Sequence, residues 1–70
     1  MAVDAMEAKV GEVAGLIWRT LKAKGPMSLM QLTKVPGLSA ELAPLGVGWL
    51  FREGKLVSET KNAVTTLKVK

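Results

Sequence analysis

Cysteine and histidine are both missing from this 70-residue chain, and so is tyrosine. Without Cys or His there is no disulfide, no zinc site of the nitrogen–sulfur type, no thiol nucleophile and no imidazole acid–base group. Acidic residues are few: Asp4, Glu7, Glu12, Glu41, Glu53 and Glu59 lie scattered, with no cluster suited to a hard cation. Metal, cofactor and enzyme chemistry are therefore not expected. The chain has no apolar run long enough to cross a bilayer, and Met1 to Glu7 lacks the basic and apolar regions of a leader. The expectation is a cytoplasmic protein with no membrane partner.

What is present is hydrophobic and basic. With 49% apolar residues the chain is too hydrophobic for intrinsic disorder, and its length allows one small domain spanning residues 1–70. The net charge of +4 points to polyanionic partners such as nucleic acid, although small domains also carry such charge for solubility alone.

The clearest helix runs from Asp4 to Lys24. Met6, Val10, Val13, Ala14, Ile17 and Leu21 recur at the spacing of one helical face, with Glu12, Arg19 and Lys22 opposite. Gly25-Pro26 ends it, because glycine accepts a left-handed cap and proline cannot continue the ladder. Met27 is expected to supply a very short strand. Ser28-Leu29-Met30-Gln31 matches a capping box and opens a second helix through Lys34, with Leu29 and Leu32 facing inward. Ser39 is the expected N-cap of a third helix that Gly54 closes. Pro44 predicts a tightened first turn there, or a late start. Lys55–Glu59 and Val64–Val69 read as the strands of a hairpin with Thr60-Lys61-Asn62-Ala63 at its tip.

Helix, short strand, helix, turn, helix, hairpin is the order of an α+β winged helix-turn-helix. Such a fold has a three-helix core and a small antiparallel sheet, made by the short strand near Met27 and the C-terminal hairpin wing. The runs Gly15-Leu16-Ile17-Trp18-Arg19-Thr20-Leu21, Gly25-Pro26-Met27-Ser28-Leu29-Met30-Gln31-Leu32 and Gly48-Trp49-Leu50-Phe51-Arg52-Glu53-Gly54-Lys55-Leu56 resemble a small stand-alone bacterial family of winged helix-turn-helix domains of unknown function. The resemblance covers almost the whole chain. It implies the fold, and DNA binding by analogy, since a fold does not determine a function.

Two surfaces are candidates. The third helix of such a fold reads base edges through outward Arg, Lys, Asn or Gln. With Leu42 and Trp49 at the centre of the core and Leu45 on the same inward side, its outward residues here are Pro44, Val47 and Phe51, none of which hydrogen-bonds a base edge. That apolar set instead suits a protein partner or a second copy of the chain, or is simply apolar surface. The basic residues Arg52, Lys55, Lys61 and Lys68 suit the phosphates of duplex DNA, while hairpin lysines also discourage edge-to-edge aggregation. Gly11 and Gly15, four residues apart, are expected to admit a neighbouring helix of the fold, or alternatively a second copy. Both tryptophans are assigned to the core, Trp49 at its middle and Trp18 at the edge of the first helix's apolar face with its ring partly exposed.

Overall fold

The computed structural model describes residues 5–70, so the helix start at Asp4 lies outside the described residues. Helix α1 spans Ala5–Lys24 and buries Val10, Ala14, Ile17 and Leu21, one stripe at helical spacing. Met6, expected on that stripe, is exposed because it lies a turn beyond the end of the core. The Gly25 N–H bonds the Leu21 carbonyl at 2.8 Å, closing the helix in a left-handed cap.

Strand β1 is the pair Met27–Ser28, and helix α2, Leu29–Thr33, follows at once. The capping box is present in both directions. Gln31 N–H donates to Ser28 Oγ at 3.2 Å, and Ser28 N–H donates to Gln31 Oε1 at 2.9 Å. Leu32 is fully buried, but Leu29 is exposed. In a helix of five residues only one position faces the core squarely, and Leu32 takes it.

Helix α3, Ala43–Arg52, begins late, and Pro44 thereby falls in its first turn, where a missing N–H leaves no bond unmade. Ser39 caps the single turn that leads into it, accepting from Leu42 N–H on Oγ at 3.3 Å and from Ala43 N–H on its carbonyl at 2.9 Å. The buried stripe of α3 is Ala43, Gly46, Val47 and Leu50. This corrects the expected orientation: Val47 is 8% exposed and belongs to the core, whereas Leu45 is 52% exposed and faces outward. Gly46 accounts for the rotation. A Cβ built there would lie 3.0 Å from Val13 Cγ1 and Ile17 Cδ1 and 3.2 Å from the Ala14 nitrogen, so the bare backbone is what lets α1 approach so closely. With Gly46 turned to α1, the i−3, i+1 and i+4 neighbours follow it inward.

A Schellman motif ends α3. Lys55 N–H donates to the Leu50 carbonyl and Gly54 N–H to the Phe51 carbonyl, each at 3.0 Å, with Gly54 at a φ of 71°. Strand β2, Leu56–Lys61, therefore leaves directly from the core and pairs antiparallel with β3, Val64–Val69. Strand β1 pairs with the other edge of β3, giving the order β1-β3-β2. Leu56 and Leu67 bury the base of the sheet on the helices, while Ser58 to Thr65 are exposed, so the hairpin projects as a wing. β2 runs two residues further than expected, to Lys61. The tip is the dipeptide Asn62-Ala63, at φ of 52° and 64°, the signature of a type I′ turn. Among the described residues no polar or charged side chain is buried.

Candidate nucleic-acid interface

The pleat sorts the wing lysines. Leu56 and Leu67 face the helices, so Val57, Glu59 and Lys61 on β2 face the other way, together with Val64, Thr66 and Lys68 on β3. Lys68 lies opposite Val57 and Lys61 opposite Val64, with the Glu59–Thr66 pair between them. Lys70 donates its N–H to the Lys55 carbonyl at 3.0 Å and extends the same row beyond the strand. The outer face of the wing thus carries Lys61, Lys68 and Lys70 against the single carboxylate of Glu59. On the other face, Thr60 and Thr65 join hydroxyls at 2.8 Å near the tip. That cross-strand link stiffens the projecting half of the ribbon.

Arg52 is held elsewhere, and Lys55, opposite Lys70 at the foot of the wing, also borders the seam between α1 and α3. Arg52, exposed at the end of α3, lines a hollow of about 430 Å³ together with Trp49, Glu7 and Glu53. The two carboxylates offset the attraction of its guanidinium for an anion. Lys55, fixed by the Schellman turn, lines a second hollow of about 270 Å³ on the other side of Trp49, with Trp18 and Arg19. The four basic candidates therefore divide between the wing's outer face and the seam between α1 and α3.

The outward side of α3 consists of Pro44, Leu45, Gly48, Phe51 and Arg52, with Phe51 40% exposed. Val47 leaves the candidate interface and Leu45 joins it. Base reading by this helix gains nothing from the exchange, because Leu45 offers no more hydrogen-bonding capacity than Val47 would. Only Arg52, at the far end, could reach a base edge with a donor.

Both tryptophans are half-buried rather than central, and both line the smaller hollow. The ammonium of Lys22 lies 4.7 Å from the centre of the Trp18 ring, a cation–π contact on the surface of α1. Gly11 and Gly15 also line this hollow, and they do not make the tight helix contact expected of them. A Cβ at Gly11 would meet nothing nearer than Trp49 Cζ2 at 4.0 Å, and one at Gly15 nothing nearer than Arg19 Nη1 at 3.6 Å. The hollow was not foreseen in the sequence. Its one signal there was a pair of mid-helix glycines one and two turns before Trp18-Arg19, at a cost in helix stability with no turn to justify it.

Three helices, a three-stranded antiparallel sheet and a projecting hairpin define a winged helix-turn-helix domain. The chain belongs to the family of the winged helix-turn-helix domain DUF2582, whose model matches residues 5–69. It is 34% identical over 71 residues to the uncharacterized protein MJ1608 of Methanocaldococcus jannaschii, covering 94% of this chain and all of that one. It is also similar to the solution NMR structure of protein BT2368 from Bacteroides thetaiotaomicron. That match has a TM-score of 0.79 and 36% identity, over 90% of this chain and 77% of the other. An archaeal relative at this identity means that the resemblance is not confined to bacteria. Among the described residues no helix is long and apolar enough to cross a membrane, and no group of three or more acidic, His or Cys side chains could hold a metal.

Proposed function

We propose that the domain is a non-enzymatic, sequence-tolerant nucleic-acid-binding module of regulatory type that grips duplex DNA by its phosphates through the outer face of the wing. The observation that carries this reading is the strand register, which puts Lys61 and Lys68 on one solvent-facing side with Lys70 continuing the row. Lysines on a projecting ribbon can follow a phosphate backbone without reading bases. The outward side of α3, apolar up to Arg52 at its end, supports the same conclusion from the other direction, since a helix with a single terminal donor adds little discrimination between sequences. Arg52 and Lys55 contribute less than the wing lysines, Arg52 because Glu7 and Glu53 share its hollow.

The test is a titration of two labelled duplexes of unrelated sequence over a range of salt concentrations. The two should bind alike, and affinity should fall steeply with salt. Lys61→Ala with Lys68→Ala should weaken binding to both duplexes and reduce the log–log salt slope by about two. Arg52→Ala should do less. A wild-type protein that binds neither duplex at low salt, or a slope unmoved by the double substitution, would remove this reading.

A second reading rests on the exposed Pro44, Leu45 and Phe51, a compact apolar side of α3 suited to a protein contact or a second copy. Sedimentation over a concentration series tests the second copy. Association that survives high salt and is lost in Phe51→Ser supports it, and a monomer throughout rejects self-association.

A further inference from the structure

We propose that the smaller hollow between α1 and α3 is a binding site for a small aromatic carboxylate. It does not rest on the polyanion reading, because neither Lys61 nor Lys68 lines it. Its walls are the two indoles of the chain, Trp18 and Trp49, which offer flat apolar surface and an N–H each. Its charged lining residues, Arg19 and Lys55, are both cationic, and the Lys22 ammonium on the Trp18 ring adds a third positive charge beside it. Among the described residues no carboxylate side chain lines it, while Glu7 and Glu53 line the neighbouring hollow, which shares Trp49. An anion with an aromatic body satisfies both halves of this lining: rings against indole, carboxylate against the guanidinium fork of Arg19. At about 270 Å³ the space takes one or two fused rings and not a dinucleotide.

Gly11 and Gly15 supply the independent argument. Each weakens the middle of α1 relative to alanine, and neither is required by packing, since the Cβ each lacks would make only ordinary contacts. What both do is keep the α1 side of the hollow bare. Gly46, by contrast, is needed for the fold and lines no part of this space. Two glycines that cost the helix stability and leave room beside two indoles and two cations are explained by an occupant.

The chain has two tryptophans and both line the site, so their indole N–H signals in a proton–nitrogen correlation spectrum report occupancy directly. The probe is 2-naphthoate, compared with neutral 2-naphthamide and with acetate. Expected are saturable shifts of both indole signals with 2-naphthoate, with weak or no response to either comparison compound. Arg19→Gln, an exposed substitution, should weaken 2-naphthoate about tenfold, the loss attached to one hydrogen bond to a charged group. Gly11→Ala with Gly15→Ala should leave the fold intact, raise the melting temperature and abolish the shifts. The proposal is overturned if 2-naphthoate gives no saturable shift up to millimolar concentration, or if the amide binds as well as the carboxylate. It is equally overturned if the stabilised double-alanine protein binds undiminished.

Discussion

At Gly46 the two long helices meet so closely that a Cβ would stand 3.0 Å from two side chains of α1, whereas at Gly11 and Gly15 the nearest atoms are 4.0 and 3.6 Å away. Both places lie on the seam between α1 and α3, both carry glycine, and the glycines serve opposite ends. One removes a side chain so that two backbones can close, and its neighbours Ile17, Leu50 and Ala14 are buried as a result. The others remove side chains where nothing closes, and solvent-accessible space remains between the tryptophans. In a domain this small, core contacts are scarce, so the tight half carries the stability and the open half is free to be a surface feature.

The largest expected effect tests the tight half. Gly46→Ala should lower the unfolding free energy by about 1–3 kcal/mol in urea denaturation, after allowing for alanine's better helix propensity. Ile17 Cδ1 is a side-chain tip that can swing away, but the Ala14 nitrogen at 3.2 Å is backbone and cannot move without displacing the helix. An unchanged midpoint would mean that the two halves of the seam do not differ.

A double-mutant cycle sharpens the contrast. Ile17→Val removes Cδ1, one of the atoms that the new methyl would meet, so it should recover part of the Gly46→Ala loss. A coupling of about 0.5–1 kcal/mol is expected, because Val13 Cγ1 and the Ala14 nitrogen still obstruct the methyl. Strict additivity of the two substitutions would argue that the helices separate as rigid bodies instead of repacking locally.

The rotation of α3 is also where the sequence was least legible. Local features could be read directly. The apolar period of α1, the Ser28–Gln31 capping box, the cap at Gly25 and the β-branched run Val64–Val69 each depend on residues a few positions apart. In Ala43–Arg52, by contrast, every residue but Arg52 is apolar, glycine or proline, so periodicity defines no face. The orientation is decided by where α1 needs room, which is a tertiary fact. Hence Val47 and Leu45 exchanged places between expectation and structure, and Trp49 packs against the margin of the core and lines a hollow, where a central position was expected. The wing lysines were nameable from the sequence, but their separation from Arg52 and Lys55 required the strand register and the Schellman turn.

On the open half of the seam the sign of the effect should reverse. Gly15→Ala adds a methyl 3.6 Å from the mobile end of Arg19 and is expected to stabilise the protein by about 1 kcal/mol, read as a higher urea midpoint. Loss of stability here, comparable to that of Gly46→Ala, would show that α1 and α3 pack tightly along their whole length and that the space between the indoles closes in solution.

The smallest effect separates the core from the wing. Asn62 and Ala63 both take positive φ, and Ala63 is the residue that a type I′ turn would more readily fill with glycine. Alanine in that region bears a steric cost of about 1–2 kcal/mol, which Ala63→Gly relieves while the unfolded chain gains roughly 0.4–1 kcal/mol of entropy. A net stabilisation of about 0.5 kcal/mol follows, visible as a small rise in the urea midpoint. The substitution alters no charge and leaves Lys61 and Lys68 in register, so duplex affinity and its salt slope should stay where they were. A large change in affinity with so small a change in stability would mean that the wing works through the shape of its tip, and the lysine row would no longer account for binding.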